Sequence, residues 1–115
     1  MRVDDIMIRR DGGTIEFTVD GCDLAGKYRL QTPFLGEPRP LFRDDKRLPI
    51  GGPGEAALAA SLRQWLSDAV TADAEDALVR LDDLREWRNL PDDLLRVVPL
   101  HRIRSVIEYL EARTA

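Results

Sequence analysis

The chain has 115 residues, 43% of them apolar and 33% charged, with a formal net charge of −4. This is the composition of one soluble globular domain, too short for two good cores, and it excludes both a disordered chain and a helical membrane span, because no apolar run approaches the roughly 18–20 residues needed. The acidic balance argues against bulk attraction to nucleic acid or acidic membranes, and the N-terminus MRVDDIMIRRDGG carries acids where a signal peptide needs an unbroken apolar region.

Residues 4–10 and 14–20 alternate apolar and polar, with Asp11-Gly12 between them as a hairpin signal. With that loop Ile8 falls opposite Ile15 and Ile6 opposite Phe17; a Gly12-Gly13 loop shifts the pairing by two and keeps the same face. The segment 21–26 then leads to a third strand, 27–32, in which Tyr28 and Leu30 alternate with polar residues. Pairing Val19 with Tyr28 and Phe17 with Leu30 sets Asp20 against Lys27, an opposite-charge pair. The single cysteine, Cys22, lies in the connection; it has no disulfide partner and none of the companions of a zinc site, which points to the cytoplasm. The reading for 1–32 is a three-stranded antiparallel meander with one apolar face and a solvated face carrying Met7, Glu16, Thr18, Arg29 and Gln31.

Residues 33–54, PFLGEPRPLFRDDKRLPIGGPG, carry prolines and glycines that forbid a helix interior or a central strand, so a long connection is expected. Its spaced apolar residues distinguish it from a polar linker and predict that it is pinned to the body. They admit two readings. They cap the open end of the core, or Phe34, Leu35, Leu41 and Phe42, with Arg39 and Arg43 beside them, form a surface that docks another protein, since interfaces favour aromatics and arginine.

Residues 55–115 read as helical. Pro53 and Glu55 open a helix whose stripe is Leu58, Leu62, Trp65, Leu66 and Ala69, with Trp65 in the core. Thr71 or Asp73 caps a second helix running to Asn89, with Ala74, Ala77, Leu78, Leu81 and Leu84 inward. Trp87 lies roughly 110° from the centre of that stripe, a candidate anchor on its flank. A last helix over 99–113 faces inward with Leu100, Ile103, Val106, Ile107 and Leu110, and puts His101 on the solvent side; a terminal strand is the alternative. The fold class is therefore α+β, with three main helices covering one face of the meander.

No catalytic or phosphate-binding motif occurs. H-E-x-x-H, G-x-S-x-G, C-x-x-C and G-x-G-x-x-G are missing, and the Gly-Gly-Pro-Gly run lacks the lysine of a P-loop. No cofactor or metal is implied. The working expectation is a non-catalytic cytoplasmic module, an adaptor, inhibitor or immunity-like protein, binding a protein partner through 33–54 and Trp87; a homo-oligomer is compatible with it. The alternatives are a nucleic-acid-binding module using Arg96, Arg102 and Arg104, and a small enzyme using carboxylates such as Asp44 and Asp45 with His101.

Overall fold

The computed structural model describes residues 1–9, 13–31, 38–83 and 97–115. Five antiparallel strands, β1 (Arg2–Ile8), β2 (Thr14–Asp20), β3 (Gly26–Gln31), β4 (Phe42–Arg43) and β5 (Lys46–Arg47), pair in sequence order. Among the described residues three helices follow: α1 (Pro53–Ala69), α2 (Ala72–Asp83) and α3 (Val98–Thr114). The architecture is α+β, with the helices after the strands.

The first hairpin keeps Ile8 opposite Ile15, and then its register shifts between Met7 and Asp4. Asp5, at φ 52, and Ile6 occupy the irregular step. The reason is which residue would otherwise be buried. In an unbroken register Asp4 would lie opposite Val19, on the apolar face, whereas one extra residue brings Val3 opposite Val19 and turns Asp4 to Thr18. Val3 is accordingly buried. The expected pairing of Ile6 with Phe17 is replaced by this bulge, and the strand begins two residues earlier than its alternation suggested.

The second hairpin differs from expectation by two residues. Phe17 pairs with Tyr28 and Ile15 with Leu30, so the facing is preserved while Lys27 meets Thr18 instead of Asp20. Aromatic pairing wins over the charge pair: the Phe17 and Tyr28 rings stack with centroids 5.4 Å apart, an interaction worth more than a solvated ion pair. The Tyr28 hydroxyl also donates to the Leu24 carbonyl at 2.6 Å, fixing the connection. Asp20 instead faces Arg2, 3.7 Å away with both side chains exposed.

Within the segment expected to be a loop, β4 and β5 form a further hairpin. Its two central residues, Asp44 and Asp45, have φ 51 and φ 64, the positive values that a two-residue type I′ turn requires. Aspartate tolerates this region better than most residues. The turn is locked to β3: Asp44 N–H donates to the Lys27 carbonyl at 2.8 Å and Lys27 N–H to Asp44 Oδ1 at 2.9 Å. Gly26 lets the hairpin approach, because a Cβ there would lie 3.0 Å from Asp44 Oδ2 and 3.1 Å from the Arg43 side chain.

The main core joins Ile15, Phe17, Val19, Tyr28 and Leu30 of the sheet to Leu58, Leu62 and Leu66 of α1 and Ile103, Val106, Ile107 and Leu110 of α3. A second cluster, Ala77, Leu78, Leu81 and Val97, seats α2, and Val70 and Leu100 touch both clusters. Thr71 is the residue that caps α2, its hydroxyl accepting from Ala74 N–H at 3.3 Å. The far end of the expected second helix, with Leu84, lies outside the described residues.

Four burial expectations are corrected. His101 is buried rather than exposed, because the first turn of α3 meets two apolar clusters and not one. Trp65 is only half-buried against the core, and Ala69 is exposed. Glu16, assigned to the solvated sheet face, is nearly covered; Arg9 lies 3.0 Å from it. Among the described residues no helix is long and apolar enough to cross a membrane.

Candidate functional site

Sheet pleating puts Glu16, Lys27, Arg29 and Phe42 on the face away from the helices, since their neighbours along the chain, Ile15, Phe17, Tyr28, Leu30 and Leu41, are in the core. Register sets Phe42 directly beside Arg29. The Arg29 guanidinium lies 4.8 Å from the centroid of the Phe42 ring, a cation–π contact that holds the flat cation over a half-buried aromatic. Asp45, at the hairpin tip, is 3.5 Å from Arg29 and almost wholly exposed.

Arg29 and Phe42 line two adjoining clefts. The first, about 300 Å³, is mixed in charge: Arg9, Lys27 and Arg29 alternate with Glu16, Asp44 and Asp45. The second, about 290 Å³, is lined among the described residues by Thr14, Arg29, Gln31, Arg39, Pro40 and Phe42, two arginines and no acid.

The backbone bearing Arg39 is held by an unusual set of bonds. Glu55, in the first turn of α1, is fully buried and accepts from Gly51 N–H at 2.7 Å and from Arg113 Nε at 2.9 Å. A second bond joins Arg113 Nη2 to Glu55 Oε2, making the pair bidentate. The same guanidinium donates through Nη1 to the Arg39 carbonyl at 2.6 Å and lies 4.7 Å over the Tyr109 ring. Tyr109 Oη in turn accepts from Arg39 N–H at 3.1 Å. Both backbone polar groups of Arg39 are thus fixed by α3, while its side chain points outward from an exposed position.

Arg43 is spent differently. Its guanidinium donates to the carbonyls of Asp23 (3.0 Å) and Ala25 (2.8 Å), clamping the β2–β3 connection to the hairpin. Burial raises the pKa of the neighbouring Tyr28 hydroxyl, and the charge of Arg43 partly opposes this.

Of the residues expected to dock a partner, Arg39 and Phe42 meet on one surface. Leu41 is a correction: it is fully buried in the main core and presents nothing to solvent. Phe34, Leu35 and Trp87 lie outside the described residues, as does Arg96 of the alternative arginine cluster. Arg102 and Arg104 are half-buried on α3, with Arg104 3.3 Å from Glu108. His101 does not line the cleft around Asp44 and Asp45. Among the described residues no group of three or more His, Cys, Asp or Glu side chains could hold a metal ion.

Sequence reasoning missed Arg29 as a partner of Phe42, although the alternation of 27–32 already put it on the outer face. What was missing was β4, without which Phe42 had no register. Comparison with protein-family models, with curated proteins and with solved structures finds no match for the chain.

Proposed function

We propose that the chain is a non-catalytic protein-interaction module of the cytoplasm, an adaptor, inhibitor or immunity-like protein, that docks a protein partner on the outer sheet face through the 38–47 part of its long connection. The observation that carries the reading is the Arg29–Phe42 pair beside Arg39. An aromatic and two arginines on a rigid support are the residue types that dominate binding energy at interfaces. The rigidity supports it too, because a pre-ordered loop loses less entropy on association. The exposed thiol of Cys22 suits a reducing compartment.

The test is native mass spectrometry of the tagged chain purified gently from its own host, in parallel with Phe42→Ala and Arg39→Glu. A defined protein recovered with the wild type and lost with both variants, at a cost of about 2 kcal/mol or more per anchor, is the expected result. A partner retained by both variants overturns the assignment of the surface. Recovery of nucleic acid instead of protein, with binding that weakens steeply in salt, overturns the function.

A further inference from the structure

The two clefts around Phe42 differ in charge, and that difference selects a class of partner. We infer that the outer face recognises an acidic peptide segment of its partner, a carboxylate seated between Arg29 and Arg39 with an apolar neighbour against the Phe42 ring. This rests on the interaction reading above and adds the chemistry of the ligand.

The cleft of Thr14, Arg29, Gln31, Arg39, Pro40 and Phe42 offers two guanidinium groups, an amide and a hydroxyl, and no acid lines it among the described residues. Guanidinium forks match carboxylates in shape and charge. Arg29 already has one weak carboxylate contact, with Asp45, whose side chain is 90% exposed; a ligand carboxylate competes with a pair that contributes little. Arg39 needs no reordering of its backbone, which Tyr109 and Arg113 hold from both sides. The half-buried Phe42 ring shares this cleft with both cations and carries the Arg29 guanidinium 4.8 Å from its centroid.

A nucleic-acid strand fits the same face poorly. Its charges recur along the whole backbone, so a strand anchored on Arg29 and Arg39 would run its next phosphates over Glu16, Asp44 and Asp45 of the adjoining cleft. A peptide can place one or two carboxylates in the cationic cleft and neutral or basic residues over the mixed one. The mixed cleft therefore sharpens the discrimination.

Random peptides displayed on phage, selected against the folded full chain and counter-selected against the Arg29→Glu/Arg39→Glu double variant, test this. Circular dichroism of the variant confirms that it folds. The expected peptides are acidic with an apolar residue beside the acid, and bind the wild type at least about tenfold tighter than the double variant. Their affinity falls as salt is raised from about 0.1 to about 1 M, which shortens the screening length to roughly 3 Å. Arg39→Lys retains intermediate binding, because a point charge replaces the fork. Neutral or basic winners, equal binding to the variant, no enrichment, or displacement of the peptides by a single-stranded oligonucleotide overturns the inference. If these fail while the host protein is still captured through Phe42 and Arg39, the interaction reading stands and only the acidic class falls.

Discussion

Two arginine–carboxylate pairs join the same two helices, α1 and α3, in opposite surroundings. Arg63 and Glu111 meet in solvent, with bonds of 2.7 and 2.5 Å and side chains 50% and 40% exposed. Arg113 and Glu55 have the same bidentate chemistry but are 10% and 0% exposed. Water screens the first pair and leaves it little to contribute. The second pair has lost its hydration, so each charge depends on the other, and on Gly51 N–H, the Arg39 carbonyl and the Tyr109 ring. The lesson is that an identical pairing is a surface ornament in one place and a structural requirement a few turns away.

Breaking the buried pair from one side should have the largest effect. Glu55→Ala leaves the Arg113 guanidinium buried without its counter-charge and is expected to cost about 3–5 kcal/mol. That is a large part of a total stability of roughly 5–15 kcal/mol for such a domain. Urea unfolding followed by circular dichroism measures it, and a loss below about 1 kcal/mol would contradict the assigned role.

The same clamp can be disturbed from the backbone. Gly51 has φ 72, and a Cβ there would lie 2.9 Å from the Arg113 carbonyl oxygen. Gly51→Ala is expected to cost about 1–3 kcal/mol through strain at positive φ and this close approach. A smaller and local effect is expected of Tyr109→Phe, which removes the acceptor of Arg39 N–H. Its cost is about 1 kcal/mol, and hydrogen exchange should report it as faster exchange of the Arg39 amide with little change at Leu58 or Leu62.

The exposed pair sets the lower end. Glu111→Gln is expected to cost no more than about 0.5–1 kcal/mol, and less in about 1 M salt. The Arg63 hydrogen bond holds the Glu111 carboxyl below its usual range. A folded value below the unfolded one means that the stabilisation is fully present above the unfolded carboxylate value and is lost as pH falls through the folded one. The difference between Glu111→Gln and wild type should therefore be largest near neutrality and vanish in acid. A difference that grows on acidification would refute the assignment.

Local periodicity made much of this fold legible. Ile8 opposite Ile15 is one of the two registers that the hairpin signal allowed, both with the same facing, and the stripe Ile103, Val106, Ile107 and Leu110 placed α3 on the core. What escaped was set by distance in the chain or by special backbone. Glu55 was recognisable as an acid in a first helical turn, but its partner stands 58 residues away. Arg39 was recognisable as an interface residue, while the arginine that fixes its carbonyl lies 74 residues on. Asp44-Asp45 hid a turn because its positive φ values are more often signalled by glycine or asparagine. Leu41 stayed between core and docking surface for a related reason: without the β4–β5 hairpin there was no frame to show that its side chain turns inward while Phe42 turns out.

The bulge at Asp5 has one further effect, on how the molecule meets others. In the described sheet β1 is the long outer strand, and a flat strand in that position invites another chain to add itself alongside. The irregular step at Asp5, with two exposed aspartates at its centre, bends that row of amides and carbonyls and charges it. At the opposite side β5 is only two residues long and both are cations. Neither margin is suited to zippering with a neighbour, so growth of the sheet into ordered aggregates is discouraged.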